Sequence, residues 1–260
     1  MWRNKLIAIL ILASSTAFGQ VGNEWIDLTQ SYYKLKIAED GFYRVTRAEL
    51  QAIGFPITSV NPNRIQLFRR GEEVALNVVS ETDDFVDYFE FYGERNDGSG
   101  DAALYDAGNQ PHTFYNLFSD TASYLLTYKL GGGENGKRMT FSSDQSTSGL
   151  SPEPYHIQDT IQLFTSSYAP GAKFGSGSAF SLSEYDSGEG WTGGFQSKNS
   201  FKDFNFNLSD YESSGNNPIL ETVLIGGNRL DHNVEIRVGP NNSSLRVLGN
   251  VPNDGWDHQF

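Results

Sequence analysis

The sequence predicts an all-β chain with one short helix, arranged as two β-rich domains of sandwich or jelly-roll type in tandem. Three observations carry this. Gly occurs 27 times, Tyr 13 and Phe 18 times in 260 residues, a composition that favours strands joined by tight turns over helices. Short stretches show the two-residue apolar alternation of half-buried strands. Turn-forming clusters separate these stretches, and no fixed-period repeat suggests a solenoid or propeller.

The first nineteen residues read as an export signal. Arg3 and Lys5 form a basic start, residues 6–12 an apolar run, and Ala17-Phe18-Gly19 a small-x-small cleavage site before Gln20. The expected location is therefore outside the cytoplasm, in the periplasm or at the outer membrane and cell surface. An apolar run this short does not span a bilayer, which takes about twenty residues, and no later segment approaches that length. With no cysteine in the chain, disulfides, thiol nucleophiles and thiolate metal ligands are all excluded. Without Arg3 and Lys5, 17 of the 19 basic residues face 32 acidic ones, a balance that repels nucleic acid.

The first domain is expected over residues 20–150. Residues 33–37 alternate apolar and basic side chains, Glu39-Asp40-Gly41 supplies a turn, and 42–45 reads as the returning strand of a hairpin with Gly41 at positive φ. Thr46-Arg47-Ala48-Glu49 is a capping box, so a helix of about two turns is expected near 46–53, closed by Gly54 with Pro56 beyond. Residues 65–68 and 74–79 predict a second hairpin around Arg69-Arg70-Gly71-Glu72, and 88–92 is a strongly aromatic strand ended by Gly93. A loop rich in Asp, Gly and Asn follows over 94–120. Residues 124–130 then resume strand periodicity, with 137–141 as the expected hairpin partner.

Residues 142–154 have a linker composition, which places a domain boundary near 150. The second domain, residues 151–260, offers strand candidates at 157–164, 201–208, 219–225, 234–238 and 245–248. It is expected to be a sandwich truncated at its C-terminal end, because Gly255 to Phe260 reads as the entry to another strand.

Chemistry-bearing motifs are sparse. Gly131, Gly133 and Gly136 match G-x-G-x-x-G, but the following residues 137–141 read as a strand where a dinucleotide fold needs a helix. Asp97, Asp101 and Asp106 lie in a Gly-rich loop that could hold calcium. Their spacing fits no EF-hand, and a solvated acidic loop is the preferred reading. The same holds for residues 186–189 beside Trp191. His112, His156, His232 and His258 lack metal-site spacing, and no G-x-S-x-G elbow occurs. Trp25, Trp191 and Trp256 could form a stacking platform for carbohydrate, with core packing preferred. No catalytic, cofactor or metal residue is assigned.

From Ile37-Ala38-Glu39-Asp40-Gly41-Phe42-Tyr43-Arg44-Val45 the chain resembles a known family. The likeness continues through Asn61-Pro62, Gln66-Leu67-Phe68 with Gly71-Glu72-Glu73-Val74, Asp87-Tyr88-Phe89-Glu90-Phe91-Tyr92-Gly93 and Asp120-Thr121-Ala122-Ser123-Tyr124-Leu125-Leu126-Thr127. Together these resemble the N-terminal region of PorU-type, gingipain-like cysteine peptidases, the sortases of the Bacteroidetes type IX secretion system. The likeness covers roughly residues 25–130, and Ser187-Gly188-Glu189-Gly190-Trp191-Thr192-Gly193-Gly194 with Asp231-His232-Asn233-Val234 extends it more loosely.

The resemblance implies a β-rich, non-catalytic region preceding a caspase-like domain with a Cys-His dyad. Neither dyad member can be placed on this sequence, so the chain is expected to be the N-terminal fragment of a longer protein. Its implied partners are other type IX secretion components or secreted cargo proteins. A stand-alone binding module for carbohydrate or protein and a structural subunit of a surface assembly are the alternatives.

Overall fold

The computed structural model describes residues 23, 25–80, 86–129, 135–143, 146–170, 185–208, 210–228, 230–254 and 258–259. The expected signal segment 1–19, Gly131, Gly133 and Trp256 lie outside these residues. The described part of the chain is mostly β-structure with a single short α-helix, as the composition and periodicity predict. Contacts divide it into two compact units. Unit 1 takes the described residues of Met1–Arg95 and Thr121–Ser143, and unit 2 those of Asn96–Asp120 and Asp144–Phe260. The Asp- and Gly-rich loop after the aromatic strand thus groups with the later half of the chain.

Unit 1 begins with β1 (Tyr33–Ile37) and β2 (Gly41–Thr46). These two strands do not form the expected hairpin. β1 pairs with β7 (Ala122–Tyr128), and β2 pairs with β6 (Tyr88–Gly93), in separate antiparallel sheets. The Asp40-Gly41 turn is therefore a corner between sheets, and Gly41 does not use a positive φ. Two-residue alternation reports a buried face and is silent about which strand lies alongside.

The single helix, α1 (Arg47–Ala52), starts where the capping box places it. The Thr46 hydroxyl oxygen accepts from the Glu49 N–H at 3.4 Å, and the Thr46 N–H donates to the Glu49 carboxylate at 2.7 Å. Gly54, at φ 74°, ends the turn. Leu50 is the helix residue that reaches the core.

The second expected hairpin is present. β3 (Ile65–Arg69) and β4 (Glu72–Val74) are joined by Arg70 at φ 51° and Gly71 at φ 87°. Two successive positive φ values make the two-residue turn whose twist matches that of the flanking strands. The run expected as one strand over 74–79 breaks at Ala75-Leu76, where the chain leaves the first sheet for β5 (Asn77–Val79) in the second. Strand orders are β1-β7-β3-β4 and β2-β6-β5.

Residues 137–141 are not a hairpin partner for β7. Arg138 makes a single bridge to Leu76, and its guanidinium donates to the Ile65 and Pro62 carbonyls at 3.1 and 2.7 Å. Gly136 ends up against the Ile65 carbonyl, where a Cβ would collide. Its role is close backbone approach, which is a reason for glycine unrelated to phosphate binding.

The two sheets of unit 1 share one core. Phe89 and Phe91 of β6 point inward and are fully buried, as are Leu67, Tyr124 and Leu126 of the first sheet. The Phe91 ring lies 5.7 Å from Tyr43 on its own sheet and 5.4 Å from Tyr124 on the other. Strand periodicity thus becomes a two-layer aromatic core.

Unit 2 is built differently. Its described strands form three two-stranded antiparallel ribbons. β8 (Ser167–Ala169) pairs with β9 (Gly190–Thr192). β10 (Leu224–Ile225) pairs with β13 (His258–Gln259). β11 (Asp231–Val238) pairs with β12 (Arg246–Asp254), with a bulge at Ile236/Arg237. The expected strands at 234–238 and 245–248 fall within the last ribbon. Among the described residues, those at 157–164 and 201–208 belong to no named strand, and of 219–225 two residues pair.

Candidate functional site

Several residues singled out separately by sequence meet in unit 2. The loop 97–119 and the turn 185–192 bring Asp101, Tyr105, His112, Tyr115, Glu189 and Trp191 around one small cavity of about 10 Å³, room for a single water.

Asp97 caps the 3-10 segment Gly98–Leu104, accepting from the Ser99 N–H at 3.1 Å. That turn carries Asp101 inward until it is 4% exposed. Its carboxylate accepts from the Asn116 side-chain amide at 2.7 Å and from the Leu117 N–H at 2.8 Å. Asn116 in turn accepts from the Phe118 and Ser119 amides at 3.0 and 2.9 Å. Asp101 is thus the anchor of the loop, and the expectation of a solvated acidic loop fails at this residue. Buried polar groups persist when every partner is supplied, and Asn116 and the 117–119 backbone supply them here.

The Asp186–Glu189 stretch is a tight turn. Ser187 N–H donates to the Asp186 carboxylate at 2.9 Å, Glu189 N–H donates to the Asp186 carbonyl, and Gly188 takes φ 71°. The Tyr168 hydroxyl donates to the Glu189 carboxylate at 3.0 Å, and the Tyr105 hydroxyl donates to the Glu189 carbonyl at 2.7 Å. Burial, reinforced by the Glu189 charge, pushes both phenols well above the ordinary tyrosine range. Both hydroxyls therefore stay protonated and act as donors.

Trp191 is held from several directions. Its indole N–H donates to the Leu117 carbonyl at 2.9 Å, and the edges of Tyr115 and Tyr168 meet its ring at 6.5 and 5.4 Å. In unit 1, Trp25 stacks on Phe68 at 5.0 Å. Both indoles serve packing, which is the reading of the tryptophans preferred from sequence.

His112 accepts the Phe114 N–H on Nδ1 at 3.3 Å and bonds the Trp191 backbone. Burial holds its pKa below the ordinary histidine range, against a smaller opposing effect of the Trp191 contact. A neutral, doubly engaged imidazole is a structural element here and has no free nitrogen for general-base work.

The sign of the pH effect follows. The unfolded chain binds a proton near pH 6.5 that the folded chain resists, so the contribution of His112 is complete above that value and is lost as pH falls towards the folded pKa. The thermal midpoint of unit 2 should drop between pH 7.5 and 5, and His112→Gln should flatten the dependence. A midpoint that rises on acidification would contradict this assignment.

The other histidines lie on separate elements. His156 is exposed in the chain before β8, His232 lies on β11 and His258 on β13. Among the described residues, no group of three or more His, Asp or Glu side chains is placed to hold a metal ion.

Against family models, curated proteins and solved structures the chain finds no match.

What this cluster can do chemically is limited and clear. It fastens loop 97–119 to the 185–192 turn through carboxylate, phenol and indole hydrogen bonds. Sequence had marked Asp101, His112, Glu189 and Trp191 singly but could not join them, and Tyr105 and Asn116 carried no local signal at all.

Proposed function

We propose that this chain is the non-catalytic, β-rich N-terminal part of an exported gingipain-like cysteine peptidase or sortase, concerned with processing secreted proteins in type IX secretion. The observation that carries the reading is the ordered series of family-like segments across residues 25–130, in a chain with no cysteine. In unit 1 those segments are structural: β2 and β6 pair along their length, and Gln66-Leu67-Phe68 lies in the β3 strand beside β7. The engaged, neutral His112 fits a region with no hydrolytic role of its own. Among the described residues no helix is long and apolar enough to cross a membrane.

On this reading the chain folds, positions and contacts partners, which are other secretion components or cargo at the periplasmic or outer-membrane side. Hydrolysis would belong to a thiolate activated by histidine elsewhere in the polypeptide. Purified residues 20–260 should cleave no peptide substrate, and turnover resistant to thiol-blocking reagents would contradict the reading. Sequencing the gene beyond codon 260 tests it directly. A downstream domain with paired His and Cys is expected, and a stop codon after Phe260 would overturn it.

A further inference from the structure

Loop 97–119 is bonded to itself as well as to the 185–192 turn, through two separate sets of hydrogen bonds. Within the loop, the Gly98 N–H donates to the Thr113 carbonyl at 2.8 Å, and the Gln110 side-chain amide donates to the Gly98 carbonyl at 2.6 Å. Asp101 draws Asn116 and Leu117 into the same body. Packing there is close, since a Cβ on Gly98 would lie 2.8 Å from the Tyr115 carbonyl. At the base, the Asn96 N–H donates to the Asp120 carbonyl at 2.8 Å, which brings the two ends of the loop together.

The second set crosses a seam to the turn. The Tyr105 hydroxyl donates to the Glu189 carbonyl, the Trp191 indole N–H to the Leu117 carbonyl, and the Tyr185 N–H to the Leu104 carbonyl at 3.1 Å. Each of these groups can take water as its partner once the seam parts. His112 stands in the seam, with the Phe114 N–H on its Nδ1 and the Trp191 backbone as its other partner.

We infer that loop 97–119 is a hinged latch, which swings off the 185–192 turn as one body when acid protonates His112. The imidazolium carries an N–H on both ring nitrogens, so Nδ1 then meets the Phe114 N–H donor against donor. The adjoining cavity of about 10 Å³ has room for a single water, which is too little to hydrate an ion. Parting the seam delivers the imidazolium to solvent while the loop keeps its own bonds.

The neighbouring charges do not reverse this. Asp101 and Glu189 line the same cavity and favour the cation, but their oxygens already accept from Asn116 and Leu117 and from Tyr168 and Asp186 respectively. The other charged residues are Asp97 and Asp106 on the loop and Asp186 on the turn; neither segment contains Lys or Arg, and β8, which carries Tyr168, has no charged residue. Burial prevails over these charges and keeps the imidazole neutral in the closed seam. Closure is therefore complete above about pH 6.5 and weakens below it.

Hydrogen exchange followed by NMR on the 260-residue chain, corrected for the intrinsic effect of pH, reads the seam and the loop separately. Between pH 7.5 and 5, protection of the Trp191 indole N–H and the Tyr185 amide should fall about tenfold, in step with titration of the His112 ring. The Gly98 and Leu117 amides inside the loop, and those of β3 and β7, should keep their protection. His112→Gln, which takes up no proton, should abolish the pH dependence. Seam protection that ignores pH, that still follows pH in His112→Gln, or that is lost together with the protection of Gly98 and Leu117 would overturn the inference.

Discussion

Replacing Phe91 by alanine is expected to destabilise unit 1 by about 3–5 kcal/mol, the range for truncating a fully buried phenylalanine. The ring is 0% exposed and touches both layers, through Tyr43 and Phe89 on its own sheet and Tyr124 on the facing one. Its loss leaves a cavity between sheets that cannot slide together, because β6 is clamped by ladders to β2 on one side and β5 on the other. Phe91→Leu, which keeps most of the volume, should cost markedly less. Urea unfolding followed by circular dichroism measures both. Equal stability of Phe91→Ala and the parent would mean that the two sheets do not share a core.

Asp101→Ala is the second large effect, and it acts in unit 2. Alanine strands the Asn116 side-chain amide and the Leu117 N–H, each at about 1–3 kcal/mol for an unpaired buried donor. Asn116 also holds the Phe118 and Ser119 amides, so faster hydrogen exchange should spread through 117–119. Asp101→Asn keeps one acceptor oxygen but turns a second donor towards existing donors, and its cost should fall between parent and alanine. The assignment fails if Asp101→Ala leaves both the thermal midpoint and the exchange of 117–119 unchanged.

The contrast between Phe91 and Asp101 shows what sequence could and could not convey. Phe91 sits in an aromatic strand whose alternation already says that positions 89 and 91 face one way. The capping box and the Arg70-Gly71 turn were equally legible, because all their partners lie within four residues. Asp101 is an aspartate in a glycine-rich loop, a pattern shared by every exposed turn, and the amides that draw it inward lie 15 and 16 residues away.

The misread hairpin at Asp40-Gly41 fails for the same reason: a turn says that the chain bends, and the choice of partner is made by distant strands. The segments 157–164 and 201–208 mark the opposite limit. Their periodicity reads as that of strands, yet among the described residues they belong to no named strand.

The pairing of β1 with β7 sets an order of events. Tyr33 lies opposite Leu126, and β7 is the strand between β1 and β3. A chain emerging from its N-terminus carries β1, which ends at Ile37, unpaired in this sheet until β7 begins at Ala122. The hairpin β3–β4 and the cap of α1 can form early from local contacts. The sheet itself closes when residues 122–128 arrive, while the intervening 96–120 segment still awaits its partners beyond residue 144. Folding of unit 1 is therefore governed by one long-range closure, the regime in which β-proteins fold in milliseconds to seconds.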